Sequence, residues 1–156
     1  MGIDPGTVKA GYALISWDDN SRKRKALDYG VIVCGARDSR PVRLGRLFKC
    51  VDSLIKRYSP EELALEESFY SKNQKAAFAL EQARGVVMAA SEINGIHVVE
   101  YSAREIKKAI TGRGNASKES VAYMVSALLT LGGEELEPDA SDALGAALTH
   151  LNRISR

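Results

Sequence analysis

The sequence contains little cysteine and no long apolar run, and both features narrow the class of protein. Two cysteines, Cys34 and Cys50, are too few for a disulfide framework, and their spacing fits no zinc module. No stretch approaches the ~20 apolar residues that a membrane span needs, and the N-terminus lacks the pattern of a signal peptide. Repeats and low-complexity tracts are also missing. We therefore expect one cytoplasmic domain over residues 1–156, with reduced thiols and no membrane contact.

Charge is distributed unevenly along the chain, although the net charge is only +2. The first 59 residues carry 12 Lys and Arg against 6 Asp and Glu. Residues 60–100 and 134–156 are acidic on balance, whereas residues 101–133 are basic. This alternation indicates a basic surface around an acidic pocket, although an ordinary solvated surface would give the same pattern.

Hydrophobic periodicity predicts an antiparallel meander followed by parallel strands between helices. The first strand is brief and ends at Asp4, before the turn signal Asp-Pro-Gly. The other predicted strands cover 11–17, 27–34, 63–66 and 96–101, with a polar hairpin loop over 18–25. The predicted helices cover 41–58, 73–94, 102–111, 117–131 and 139–154. This order predicts an α/β fold with a mixed five-stranded sheet flanked by helices.

Four acids stand at the ends of predicted elements. Asp4 and Glu66 end two strands that a right-handed crossover places side by side. Asp139 and Asp142 are three residues apart, so they share one face at the start of the last helix. Clustered carboxylates repel one another, and a divalent cation that prefers oxygen ligands, Mg²⁺ or Mn²⁺, keeps them charged. Two such ions about 4 Å apart drive in-line displacement at phosphorus.

Simpler interpretations of the same residues stay open at this point. Asp4 can shape its turn, and either Asp139 or Asp142 can be a helix N-cap. The long helix 73–94 is rich in small residues, which suits a close-packed core or a two-fold dimer seam. An aromatic such as Phe69, just after a strand-end acid, is commonly a small core plug.

Several strings of residues together resemble the RuvC family of bacterial Holliday junction resolvases over essentially the whole chain. They begin with GIDPGT at 2–7 with Gly11 and Tyr12, LEESF at 65–69, KN at 72–73 and QARG at 82–85. They continue with Tyr101, Arg104 and Lys107, TG at 111–112 with Lys118, and DASDAL at 139–144 with Ala147, Thr149 and His150. No single string identifies the family, whereas all of them in register are very specific.

The resemblance implies an RNase H-like fold and a Mg²⁺-dependent homodimer that nicks four-way DNA junctions at two symmetric points in recombination and repair. Partners of the RuvA and RuvB type, which drive branch migration, are implied as well. By position, the resemblance assigns catalysis and metal binding to Asp4, Glu66, Asp139 and Asp142. We expect two Mg²⁺ ions per subunit, with Mn²⁺ as a substitute. Glu67 departs from the pattern, because family members often carry a neutral residue there.

DNA contacts are expected on both sides of the acids. The resemblance assigns a junction-inserting aromatic to Phe69 and basic DNA contacts to Lys107 and Lys118. Arg104 lies three residues before Lys107, so both side chains can face one DNA strand. Lys118 lies in the first turn of its helix, where a cation is unfavourable unless it meets a phosphate. Backbone contacts are also expected from the pair at 72–73, Lys72 and Asn73.

Three other functions compete with this interpretation. Actin-like ATPases and sugar kinases share the string Gly-Ile-Asp-x-Gly-Thr, but they enclose nucleotide between two such domains and this chain holds one. A non-catalytic junction-binding module would not concentrate carboxylates near phosphate without a metal. A nuclease for RNA–DNA hybrids would share the fold, but Phe69 and the basic segment 102–118 favour junctions.

Overall fold

A computed structural model describes residues 1–18, 20–21, 23–67, 73–132 and 136–154. The strands in these ranges are β1 (Gly2–Asp4), β2 (Lys9–Asp18), β3 (Lys23–Val33), β4 (Glu62–Glu66) and β5 (His97–Tyr101). The helices are α1 (Arg40–Tyr58), α2 (Gln74–Ile93), α3 (Ala103–Thr111), α4 (Lys118–Leu129) and α5 (Pro138–Ile154). The spatial strand order is β3-β2-β1-β4-β5. β2 pairs antiparallel with both β3 and β1, whereas β4 pairs parallel with both β1 and β5. This pairing confirms the predicted mixed sheet.

The β2–β3 hairpin is longer than the sequence pattern predicts. The predicted loop over 18–25 is wrong at both ends, because Trp17 pairs with Arg24 and Asp18 pairs with Lys23. The guanidinium of Arg24 lies 5.7 Å from the ring centre of Trp17. Since β3 is an edge strand, charged side chains extend from it into water without ending the ladder.

Two hydrophobic clusters cover the two faces of the sheet. The cluster toward α1 and α2 includes Ile3, Leu47, Val51, Leu65 and Val87. The cluster toward α3, α4 and α5 includes Ala13, Ala64, Val125, Leu144 and Leu148. Consecutive strand residues such as Ala64 and Leu65 belong to different clusters because side chains alternate across a strand. Both cysteines are free thiols, and Cys34 is buried.

Local signals set the ends of the shorter helices. Ser102 and Glu105 form the predicted capping box at the start of α3. Gly112, with φ of 78°, ends that helix in the left-handed conformation. Thr130 adopts the same conformation and ends α4 just before the predicted boundary at 131. Within the described ranges, no helix has the length and apolar character needed to cross a bilayer.

Candidate active site

Asp4 and Glu66 lie beside each other at the carboxyl ends of two internal strands, β1 and β4. We call this end of the strands the sheet edge. β1 and β4 run parallel, with Gly2 opposite Ala64 and Ile3 opposite Leu65, so the two acids follow at the next position. Both are half-buried. The predicted placement of these two strand ends is confirmed.

Two glycines let α5 approach the sheet closely. A Cβ on Gly11 would lie 1.8 Å from the carbonyl oxygen of Asp139, and one on Gly2 would lie 2.2 Å from that of Ala143. A side chain at either position would therefore push the helix away from the sheet. Because Gly11 is the cross-strand partner of Asp4, its missing side chain allows the first turn of α5 to lie close to Asp4.

Burial and neighbouring acids raise the pKa values of the two strand-end carboxyls, Asp4 and Glu66. Burial raises the pKa of Asp4, the carboxylates of Asp142, Glu66 and Asp139 raise it further, and the pKa reaches about 7. Burial is also the largest cause of the raised pKa of Glu66, followed by repulsion from Asp142. Asp4 therefore interacts with all three other acids, as expected for carboxylates gathered at one sheet edge.

Lys118 is a cation placed among these acids. It is the first residue of α4, and its Nζ donates a hydrogen bond to Oδ2 of Asp142 at 2.7 Å. This hydrogen bond is the largest cause of the raised pKa of Lys118, and the charges of Asp4 and Glu66 contribute. The helix dipole disfavours a cation in this first turn, and the nearby carboxylates offset that cost.

Two further basic residues lie on α3, on the same side of the sheet. Lys107 is near enough to Glu66 that its charge opposes the rise in the pKa of that carboxyl. Arg104 packs against the glycine break that follows the helix, since a Cβ on Gly114 would lie 2.8 Å from Cγ of Arg104. The structure therefore brings Lys107 and Lys118 to the acids and places Arg104 at the adjoining break.

The remaining predicted contacts fall around the start of α2. Asn73 is the N-cap of that helix, and its side chain accepts a hydrogen bond from the N–H of Ala76 at 3.2 Å. Phe69 and Lys72 lie outside the described residues. Glu67, the additional acid, is exposed, and its backbone N–H donates to the carbonyl of Tyr101 at 2.8 Å.

The donor set suits a divalent cation in kind. Carboxylate oxygens are the ligands that Mg²⁺ and Mn²⁺ prefer. Burial and then the neighbouring carboxylates raise the pKa of Asp4, and a bound cation would relieve the repulsion among these acids. In the part of the chain that the structure describes, no three acids are arranged to hold a single ion. Asp142 is engaged by Lys118.

Sequence reasoning assigned no role to Arg84, whose guanidinium contacts the backbone carbonyl of Glu66. Arg84 belongs to the string QARG, but a string does not show where a side chain points. His150 is a buried residue of α5. Its ring hydrogen-bonds the hydroxyl of Tyr101 at 2.8 Å and the carboxylate of Glu62 at 2.6 Å. Glu62 begins β4, so this contact lies at the opposite end of that strand from Glu66.

The chain is similar to curated proteins along nearly its whole length. A family model described as crossover junction endodeoxyribonuclease RuvC matches residues 1–150. The protein of that name from Chlorobium phaeovibrioides is 42% identical, over 98% of this chain and 80% of its own length. Its counterpart from Fusobacterium nucleatum is 38% identical, over 99% of this chain and 80% of its own length.

Solved structures give the same result. Thermus thermophilus RuvC in complex with a Holliday junction substrate matches with a TM-score of 0.91 at 31% identity, covering 99% of this chain and 93% of that chain. The yeast mitochondrial Holliday junction resolvase Ydc2 matches with a TM-score of 0.67 at 14% identity, covering 97% of this chain and 78% of that chain, and shows a shared fold.

The sheet order and the carboxylates at its edge, together with these matches, define an RNase H-like nuclease. The chain belongs to the RuvC family of crossover junction endodeoxyribonucleases. Nucleases of this family are metal-dependent in general.

Proposed function

We propose that this chain resolves four-way DNA junctions by paired symmetric nicks, one from each subunit of a homodimer. The observation that carries the proposal is the interaction of Asp4 with three other carboxylates at one sheet edge, in a chain of this family. The T. thermophilus relative, in complex with a Holliday junction substrate, supports the choice of DNA. A resolvase of this kind serves recombination and repair.

The acids are assigned to metal binding. Two Mg²⁺ ions, or Mn²⁺ in their place, would supply an activated water and stabilise the leaving 3′-oxygen when bound by Asp4, Glu66, Asp139 and Asp142. The parallel pairing of β1 and β4 fixes the spacing of the two strand-end acids. Lys118 neutralises charge on the phosphate under attack once its ammonium leaves Asp142. The products carry 5′-phosphate and 3′-hydroxyl ends.

The basic residues on α3 and α4 are assigned to the DNA backbone. Lys107 and Lys118 lie near the acids, and Arg104 adjoins the glycine break, where a phosphate can approach the main chain. Phe69 is proposed as the aromatic that stacks at the branch point, and Lys72 as a backbone contact beside it. Asn73 retains its proposed DNA contact in addition to its capping role.

The outer face of α2 is assigned to the second subunit. Phe78 and Ile93 are 67% and 71% exposed near the two ends of the helix, and Gly85 and Ala89 are exposed between them. At 100° per residue these four positions form one stripe. Small residues between large apolar ones let a second copy of the helix approach closely across a two-fold axis.

Replacing Ala89 by Glu in this stripe is expected to yield monomers, because a buried, unpaired charge opposes association at a close-packed seam. Sedimentation or light scattering should show half the mass of the wild type, and paired nicks should become unpaired. Ser53→Glu adds the same charge to an exposed position of α1 and should leave the mass unchanged. An Ala89→Glu protein of wild-type mass would place the interface elsewhere.

Cleavage of a labelled four-way junction with a mobile homologous core tests the activity. With Mg²⁺ we expect paired symmetric nicks in the junction and none in a linear duplex of the same sequence. EDTA should abolish cutting, and Mn²⁺ should restore it. Equal cutting of the duplex, or cutting in EDTA, would contradict the proposal. Tight junction binding without nicks would favour the non-catalytic module.

Residues 1–156 are further proposed to form a single nuclease domain of a cytoplasmic protein that works beside branch-migration proteins of the RuvA and RuvB type. Family membership supports this setting.

A further inference from the structure

Arg84 is a buried cation on α2. Its side chain is only 7% exposed, although arginine is seldom buried unless it is paired. Nη2 forms an ion pair with the carboxylate of Glu100 on β5, and Nη1 donates to the backbone carbonyl of Glu66 on β4. Nε lies 3.7 Å from a carboxylate oxygen of Glu81 and makes no hydrogen bond among the described residues.

The two acceptors of Arg84 belong to neighbouring strand ends. In the parallel ladder, Leu65 is paired with Glu100 and Glu66 with Tyr101. One guanidinium therefore ties the ends of β4 and β5 to α2. Arginine suits this task because its planar fork presents donors in fixed directions, whereas the ammonium of lysine is a single point of charge.

The partners of Arg84 also show what its charge is used for. Burying a guanidinium is costly, and pairing with Glu100 offsets part of that cost. An apolar side chain would fill the same space without this cost. A second donor, Nη1, contacts the backbone carbonyl of Glu66 itself. This contact holds the residue from which the candidate catalytic carboxylate extends toward Asp4.

We propose that Arg84, held in place by Glu100, is a positioning residue that fixes Glu66 for metal binding and cleavage. The proposal rests on the proposed function, because it presumes that Glu66 binds the metal. Groups that orient a metal ligand typically change metal affinity or activity by about 10- to 100-fold when they are replaced.

Three substitutions test this role. Arg84→Lys keeps the charge and loses the fork, Arg84→Met keeps the bulk and loses the charge, and Glu100→Gln weakens the hold on the guanidinium. The control is Arg57→Met, which removes an exposed arginine from the far end of α1. For the Arg84 variants we expect single-turnover cleavage at saturating enzyme to fall by about 10- to 100-fold. Glu100→Gln should cause a smaller fall in the same direction.

Metal binding provides a readout that does not depend on cleavage. Titration with Mn²⁺, followed by electron paramagnetic resonance, should show weaker binding in the Arg84 variants and unchanged binding in Arg57→Met. Junction affinity in EDTA should match that of the wild type, so that the loss falls on the rate of the chemical step and leaves substrate binding unaltered.

Two results would overturn the proposal. The first is a folded Arg84→Lys protein with wild-type cleavage and Mn²⁺ affinity, which would reduce Arg84 to a structural role. The second is weakened junction binding with an unchanged maximal rate. If Arg84→Met does not fold, the other two variants decide. Wild-type protein in the same assay separates failure of the Arg84 proposal from failure of the proposed function. If the proposed function is wrong, the wild type itself makes no nicks.

Discussion

Replacing Asp4 by Asn is expected to lower junction cleavage by roughly 10³-fold or more while leaving junction binding intact. Asparagine keeps the shape of the side chain and one oxygen, but it removes the charge that a divalent cation needs. Binding persists because the proposed DNA contacts lie on other residues, among them Lys107 and Lys118. Single-turnover cleavage in Mg²⁺ and a gel-shift assay in EDTA measure the two quantities. Asp52→Asn, on α1, serves as the matched control, and normal cleavage by Asp4→Asn would contradict the assignment.

The same substitution should stabilise the metal-free protein. The pKa of Asp4 is about 7 in the folded chain, against an ordinary value of 3.8. Between these values the folded protein binds a proton that the unfolded chain does not, so this group makes stability fall as pH rises through that window. Thermal unfolding in EDTA should therefore show an advantage of Asp4→Asn over wild type that grows between about pH 4 and about pH 7. Added Mg²⁺ should reduce this advantage, and a difference independent of pH would contradict the argument.

The positions of Asp4 and Glu66 could be predicted because they depend only on topology. An antiparallel meander followed by a crossover helix leaves few places for β4, and parallel pairing with β1 puts both acids at the same edge. How near Asp139 and Asp142 come to Asp4 and Glu66 depends on how closely α5 packs against the sheet. That closeness comes from Gly2 and Gly11, and a glycine in a strand pattern indicates a close approach without naming the partner.

Side-chain partners were harder to predict than strand positions. Lys118 is unusual in the sequence because a cation is unfavourable in the first turn of a helix, yet no sequence pattern points to Asp142 as its partner. Arg84 lies among small and apolar residues on α2, where periodicity does not distinguish a buried arginine from an exposed one. The proposed roles of Phe69 and Lys72 rest on the resemblance. That of Lys72 also rests on the negative charge of the DNA backbone.

Replacing Gly11 by Ala is also expected to have a large effect, on both stability and cleavage, because the new methyl group meets backbone atoms. Its Cβ would lie 1.8 Å from the carbonyl oxygen of Asp139, 2.3 Å from the carbonyl carbon and 3.0 Å from the nitrogen of Ala140. Backbone atoms of a helix cannot rotate away, so the first turn of α5 must move. A displacement of this kind costs about 1–3 kcal/mol of stability. A misplacement near 1 Å also costs roughly 10²-fold in rate.

The matched control for this change is Gly45→Ala on α1, where nothing lies within 4 Å of the added methyl group. Alanine favours a helix interior over glycine by about 1 kcal/mol, so this variant should be slightly more stable and cleave normally. Thermal unfolding and single-turnover cleavage compare the two proteins. A folded Gly11→Ala protein with normal cleavage would show that Asp139 and Asp142 keep working positions without the close contact between α5 and the sheet. The expected loss would instead identify that contact as the feature that joins the helix acids to the strand acids.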